Sequence, residues 1–213
     1  MPIRTLCAVA ALGLLLCACS ETDSTGDGRK PYHYLLNEQF KASTFPAAVW
    51  TDIGPGIVSQ DMAFGDPAPA MRLDGSGVQS GLTAGPFDAT SKFAVRIAID
   101  PAPGSGSSAA FVLRSGANVV ASVTVEEGQI TYVMGTTPPV TVAWATDGAF
   151  HLFEFEGANL SSGGHFWKRD GQLAASTTQP MGALQLTVSL EGPSAGSAWF
   201  DDVRVYQTLG YPH

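Results

Sequence analysis

Apolar and polar residues alternate along most of the chain in short runs, which is the pattern of β-strands that bury one face. The clearest run is Lys92–Asp100, in which Phe93, Val95, Ile97 and Ile99 alternate with smaller or charged residues. Glycine, proline, aspartate and asparagine separate the runs, and no long window keeps the apolar spacing of an amphipathic helix. The pattern therefore predicts an all-β protein built as a two-sheet antiparallel sandwich.

The same pattern places the individual strands and ends in a closing strand. In that strand, regular alternation puts Trp199, Asp201, Val203 and Val205 on the apolar face, so we expect the Asp201 carboxylate to need a partner. A loop-rich section containing Trp50 precedes the second strand. The predicted strands are Leu35–Phe40, Ala70–Asp74, Lys92–Asp100, Ala109–Arg114, Val119–Val125, Gln129–Met134, Val140–Trp144, Phe150–Glu156, His165–Lys168, Gln172–Ala175, Leu184–Leu190 and the closing stretch Gly196–Tyr206.

The first residues have the pattern of an export signal. One basic residue, Arg4, precedes an apolar stretch too short to span a membrane. The stretch closes with Leu16-Cys17-Ala18-Cys19-Ser20, which resembles a bacterial lipobox, with Cys19 as the acylated residue. An ordinary secretory signal that happens to contain cysteines is the alternative. The resemblance implies a lipid anchor in the membrane, and Ser20 is compatible with sorting to the outer membrane.

These observations divide the chain into four segments. Residues 1–18 are predicted as the lipoprotein signal peptide, and 19–33 as the lipidated cysteine and a polar, flexible tether. Residues 34–207 are predicted as one sandwich domain, and 208–213 as a C-terminal tail. The three cysteines, Cys7, Cys17 and Cys19, all precede the predicted domain, so we expect it to hold no disulfide.

Charge narrows the range of partners. The chain carries 11 Lys and Arg against 19 Asp and Glu, a formal net charge of −8. Basic residues form no cluster beyond the pairs Arg29-Lys30 and Lys168-Arg169, so nucleic acid is not an expected partner. Neutral glycans, cationic surfaces and divalent cations remain compatible with this charge.

Several segments, taken in order, resemble a known family of domains. The closing Trp199–Tyr206 stretch and the Gly148–Phe155 strand are two of them. A third is the Gly164–Leu173 hairpin with its Asp170-Gly171 turn. Together they resemble laminin-G-like, concanavalin A-like jelly-roll domains. The resemblance implies a jelly-roll sandwich whose members bind sugars, act in adhesion or cleave glycans.

Glu154 and Glu156 are the nearest approach to a catalytic pair. Glucan-cleaving enzymes of this fold carry Glu-x-Asp-x-x-Glu on one strand, whereas this chain has Glu154-Phe155-Glu156 without a third carboxylate. A solvated strand face is the favoured interpretation, and a catalytic pair is the alternative. No His-x-His or His-Glu-x-x-His arrangement indicates a zinc site.

The resemblance also implies a calcium ion between the first and last strands. The matching carboxylates are Glu38 and Asp201, with Asp202 or Asp61 as further ligands. The alternative, favoured from the residues themselves, is that Asp201 accepts backbone N–H bonds and holds no metal.

Aromatic residues are the candidates for contact with a sugar, because a pyranose ring packs its C–H face on an exposed aromatic ring. Trp167 is the first candidate, followed by Trp144 and Tyr132, while Trp199 is expected in the core. The sequence as a whole predicts a cell-envelope lipoprotein with a non-catalytic binding or adhesion domain whose ligand is a polysaccharide. A polysaccharide-cleaving enzyme of the same fold and a structural envelope protein are the alternatives.

Overall fold

The computed structural model describes residues 32–41, 49–53, 57–61, 68–76, 81–89, 93–101, 108–145, 147–157, 163–182 and 185–208. Strands, without any helix, make up the regular structure of this part of the chain. It accordingly contains no apolar helix of membrane-spanning length. The strands are β1 (Tyr32–Glu38), β2 (Thr51–Asp52), β3 (Ile57–Asp61), β4 (Ala70–Ser76), β5 (Gly81–Asp88), β6 (Phe93–Pro101), β7 (Ser108–Ser115), β8 (Asn118–Glu126), β9 (Gln129–Met134), β10 (Val140–Ala143), β11 (His151–Gly157), β12 (His165–Arg169), β13 (Gln172–Thr177), β14 (Gln185–Glu191) and β15 (Ala195–Thr208).

Two antiparallel sheets form the fold. Sheet I has the order β13-β12-β11-β6-β15-β4-β3, and sheet II has the order β10-β9-β8-β7-β14-β5-β2. The long strand β15 organises sheet I, since one edge pairs with β6 while the other pairs first with β4 and then with β1. Strand β1 therefore joins the sheet beside the second half of β15, and Tyr32 pairs with Thr208.

The core lies between the two sheets and is built from alternate residues of each strand. In β6 these are Phe93, Val95, Ile97 and Ile99, as the alternation predicted, and all four are buried. Burying an aliphatic or aromatic side chain of this size contributes about 1.5–3 kcal/mol. The two inner faces merge into one apolar cluster, so the described strands form a single sandwich.

A β-bulge in β15 changes which residues of the closing strand face the core. The pairing with β6 shifts register between Asp201 and Arg204, and Asp202 has a φ of 50°. Ala198 and Phe200 face the core before the bulge, and Val203 and Val205 face it afterwards. The predicted regular alternation is therefore wrong, because the extra residue moves Trp199 and Asp201 to the outer face.

Three strands carry no clear alternating signal in the sequence. Strands β2 and β3 fall in the section predicted as loop-rich, and β5 was not predicted at all. In β5 the pairing with β14 is irregular around Gly85-Pro86, and Gly85 has a φ of 110°. Proline has no N–H to donate to the neighbouring strand, so it is tolerated at such an irregularity. Its presence also makes the segment look unlike a strand in the sequence.

Candidate functional site

A groove of about 410 Å³ crosses the outer face of sheet I. Ala98 of β6 forms its floor, between Asp201 of β15 and Leu152 of β11, which are its register partners. The small Ala98 side chain leaves room there, while larger side chains rise around it. The groove is lined by Gln39, Lys41, Arg96, Ala98, Phe150, Leu152, Asp170, Asp201, Asp202 and Arg204.

Two arginines and one aspartate form the charged wall of the groove. Arg204 Nε donates to Asp202 Oδ1 at 2.6 Å, and Arg96 Nε lies 2.8 Å from Asp202 Oδ2. Arg96 and Arg204 are direct neighbours across β6 and β15, so their charges would repel without Asp202 between them. The bulge in β15 supplies this arrangement, because it places Asp202 on the same face as both arginines.

His151 holds the opposite rim in place. Its Nδ1 lies 2.8 Å from Asp170 Oδ2, its Nε2 lies 3.2 Å from both Asp147 oxygens, and the Trp144 ring meets it edge-on at 5.2 Å. Burial alone would lower the pKa of His151, but the hydrogen bonds to Asp170 and Asp147 outweigh burial and raise it. Asp170 also accepts the Leu152 N–H at 2.9 Å, which fixes its carboxylate at the rim.

A buried carboxyl group, Asp100, lies next to this histidine cluster. Its side chain is 1% exposed, and its Oδ1 has no hydrogen-bond partner in the described part of the chain. Burial, together with the charge of Asp147, raises the pKa of Asp100 to about 6, against the opposing influence of His151. Asp100 is therefore a buried acid beside the groove and is not among the residues that line it.

Glu154 and Glu156 lie together on the outer face of sheet I, as their spacing predicted. Glu156 accepts a hydrogen bond from Lys168 Nζ at 3.1 Å. Glu154 pairs in register with Arg96 on one side and Lys168 on the other. Neither glutamate lines the groove. The pair is embedded in a charged strand face, which fits the solvated-face interpretation.

The carboxylates predicted as calcium ligands are engaged in other contacts. Both oxygens of Asp202 lie against guanidinium groups, and the positive charge of Arg96 and Arg204 would repel a cation there. Asp202 therefore does not fit the predicted role. Glu38 accepts the Phe40 N–H at 2.7 Å, and Asp201 accepts the Asp202 N–H at 2.7 Å. Among the described residues no three His, Cys, Asp or Glu side chains group as metal ligands. Calcium at Glu38 and Asp201 with backbone carbonyls stays a prediction.

Two of the three predicted sugar-contacting aromatics lie in the core. Trp167 is 0% exposed and Tyr132 is 1% exposed, so the expectation that these rings are exposed to a ligand is wrong. Trp167 faces inwards because it pairs with Phe155, and its Nε1 donates to Val133 O at 3.2 Å. Trp144 is half-buried beside His151 and remains at the rim of the site. Trp199, expected in the core, lies on the outer face with Arg72 over its ring at 5.5 Å.

Apart from Asp201 and Asp202, which were predicted as calcium ligands, the residues that line the groove were not predicted as site residues. One signal does exist in the sequence, since Arg96 is the only charged residue between Phe93 and Ile99, and a charged side chain within such an apolar run is expected to face outwards. The partner, Asp202, depends on a bulge that regular alternation does not indicate. Cys19, the rest of the predicted signal peptide and tether up to residue 31, and residues 209–213 lie outside the described residues.

No protein-family model matches the chain, and no curated protein matches it in sequence. Solved structures do resemble it. A Crh5 transglycosylase in complex with NAG superposes with a TM-score of 0.59 at 16% identity, over 81% of this chain and 87% of that one. The Emp46p carbohydrate recognition domain gives 0.59 at 9%, over 84% and 97%. A glycoside hydrolase family 16 endo-glucanase from Bacteroides ovatus gives 0.58 at 11%, over 80% and 99%.

A sialidase gives a TM-score of 0.63 at 8% identity, with 81% of this chain matched and only 18% of that chain covered. At these identities the likeness shows the fold alone. The chain has the all-β, two-sheet jelly-roll sandwich of concanavalin A-like proteins, which confirms the predicted fold class. Proteins with this fold include both carbohydrate-binding domains and glycan-cleaving enzymes.

Proposed function

We propose that the protein is a non-catalytic carbohydrate-binding module that holds a neutral glycan in the groove of sheet I, displayed from the cell envelope on a lipid anchor. The observation that carries the proposal is the groove itself. Its fixed hydrogen-bonding side chains, above all Arg96, Asp202 and Arg204, stand opposite the apolar side chains of Phe150 and Leu152. A sugar ring presents the same combination of hydroxyl groups and an apolar C–H face.

The charges of the groove favour a neutral ligand. Three cationic side chains, Lys41, Arg96 and Arg204, face three carboxylates, Asp170, Asp201 and Asp202. The groove is therefore balanced, while the chain as a whole carries a net charge of −8 that would repel polyanions at low salt.

Binding is favoured over cleavage because two carboxylates of the groove, Asp170 and Asp202, already interact with partners within the protein. A glycosidase needs one carboxyl group that carries a proton and a second that is ionised. Asp202 lies against two guanidinium groups, and Asp170 is held by His151 and a backbone N–H. Both carboxylates are therefore held by partners within the protein, so neither is positioned to deliver a proton to a glycosidic oxygen.

Filling the groove tests the site. We expect Ala98→Phe to weaken the binding of neutral polysaccharides at least tenfold, because the ring would occupy the floor of the groove. Wild-type affinity should lie between about 1 μM and 1 mM. The matched control is Ala110→Phe, since Ala110 is a half-buried outward residue in the central strand β7 of sheet II. The measurement is affinity electrophoresis of the full chain in detergent against a panel of neutral glycans.

The control also distinguishes the two faces of the sandwich. Loss of binding in Ala110→Phe with full binding in Ala98→Phe would place the ligand on sheet II and contradict the proposal. Reducing-end release over long incubation is measured in parallel. Cleavage that disappears in Glu154→Gln or Glu156→Gln would establish the enzyme alternative instead.

The proposed anchor is tested separately. We expect Cys19→Ala to accumulate as an unprocessed precursor, whereas Cys17→Ala should be processed and lipidated normally. Acyl chains contribute about 0.8 kcal/mol for each buried CH₂, so the processed protein should remain in the membrane fraction. The measurement is metabolic labelling with a fatty acid followed by fractionation. Normal labelling of Cys19→Ala would show that another residue carries the lipid.

A further inference from the structure

We propose that a second ligand site lies at the other end of β12 from the groove, and that it takes an uncharged, hydroxyl-rich ligand such as the end sugar of a neutral glycan. The site is a depression of about 520 Å³ where the start of β12 meets the end of β13 and the turn after β9. Asp170, which lines the groove, follows the last residue of β12, while His165, which lines the depression, is its first residue. The two sites are therefore about 16 Å apart along the strand.

His165 is the feature that points to a ligand. Its side chain is fully buried, and neither ring nitrogen has a hydrogen-bond partner in the described part of the chain. Buried polar groups in folded proteins nearly always have a partner, so an unpartnered imidazole that lines a depression calls for an explanation. Burial lowers the pKa of His165, which keeps the ring neutral and gives it one donor and one acceptor nitrogen.

The fold holds this ring in a fixed orientation. His165 pairs in register with Gly157 and stacks on Phe155, with ring centroids 6.0 Å apart and planes 20° apart. A Cβ at Gly157 would lie about 2.2 Å from His165 Nδ1 and also close to Cε1 and Cγ, so only glycine leaves space for the ring. The Nδ1 side of the ring therefore rests on Gly157, and Nε2 is turned away from it. We infer that Nε2, although buried, is the ring nitrogen that a ligand in the depression meets.

The rest of the lining suits an uncharged ligand. The other lining residues are Thr137, Gly164, Phe166, Ser176, Thr177, Thr178 and Gln179, and none of the described lining residues carries a full charge. They offer hydroxyl and amide groups, as a sugar requires. Phe166 is half-buried, with Lys168 Nζ 5.1 Å from the centre of its ring, and supplies an apolar surface. The groove, with its six charged side chains, is chemically different.

The test uses the full chain in detergent and follows the ring nitrogens of His165 by NMR, with the signals identified through proton contacts to Phe155. The probes are the methyl glycosides of glucose, galactose and mannose, titrated to about 100 mM, which detects millimolar affinity. We expect at least one probe to shift the His165 signals in a saturating manner. The His151 signals should respond only to a ligand that binds in the groove. The blocking variant is Ser176→Leu, because Ser176 is exposed and pairs with Phe166 inside the depression. Its matched control is Gln172→Leu, exposed at the other end of the same strand.

Ser176→Leu should weaken the response at His165 at least tenfold, and Gln172→Leu should leave it unchanged. The response should also persist in Ala98→Phe, so failure of the groove and failure of this site are separate results. His165 signals that no probe moves would overturn the proposal. An equal response in wild type and Ser176→Leu would overturn it as well, because the ligand would then bind elsewhere.

Discussion

Trp167→Ala should lower the free energy of unfolding by about 3–5 kcal/mol, the range for truncating a fully buried tryptophan. Trp167 is 0% exposed and packs against Phe111, Tyr132 and Phe155 at ring-centroid distances of 5.1–6.4 Å. Its indole N–H also bonds to a backbone carbonyl of sheet II, so the side chain ties the two sheets together. The measurement is urea unfolding followed by tryptophan fluorescence and circular dichroism.

Two further variants separate packing from ligand binding. Trp144→Ala, at a half-buried position on the rim, should cost no more than about 1 kcal/mol. Trp167→Phe keeps an aromatic ring in the core and should keep the glycan affinity of the wild type. A Trp167→Ala protein of normal stability that no longer binds glycan would show that this side chain meets the ligand after all.

Asp100→Asn should stabilise the protein at neutral pH. The pKa of Asp100 is raised from 3.8 to about 6, so between these values the folded protein keeps a proton that the unfolded chain has released. The contribution of Asp100 to stability is therefore full at low pH and is lost as the pH rises through about 6. Two pKa units correspond to about 3 kcal/mol, and the amide leaves one hydrogen bond unmet, so we expect a gain of about 1–3 kcal/mol.

The gain should depend on pH, which identifies its origin. At about pH 4 the wild-type carboxyl is protonated in the folded state, so the gain should disappear and the variant should be no more stable than the wild type. The measurement is the urea midpoint at about pH 4 and pH 7.5. Asp52→Asn is the control, because Asp52 is exposed and should change stability by no more than about 0.5 kcal/mol at either pH. An equal gain at both pH values would contradict the proposed buried charge.

The strands with regular alternation could be predicted from the sequence because burial on one face leaves a period of two. Gln129–Met134 was predicted with the bounds that the structure shows, and β6 and β7 differ at their ends by one residue or so. Strand β5 was not predicted because Gly85 and Pro86 interrupt its alternation of apolar and polar residues. Its place in sheet II depends on pairing with β14, which is a tertiary contact that no local pattern records.

The site was harder to predict, since it depends on which face each residue occupies. The bulge at Asp202 requires a positive φ, which aspartate tolerates better than most residues. The sequence Asp201-Asp202 alone does not predict a bulge. Around Trp167, both faces of β12 mix aromatic and charged residues, so alternation alone does not indicate which one is buried. The partner strand decides, because Trp167 pairs with the core residue Phe155.

The pairing of Tyr32 with Thr208 determines how the protein would bear a mechanical load. Strand β1 enters at Tyr32, and Gln39 and Lys41, just beyond its other end, reach the groove, so the proposed anchor and the proposed ligand lie at opposite ends of one strand. A glycan that pulls against a lipidated Cys19 would thus apply tension along β1. The hydrogen bonds between β1 and β15 run across the strands, so such tension would shear them together instead of opening them one after another. Because β1 and β15 are joined in this way, such a load would be shared by all the hydrogen bonds between the two strands.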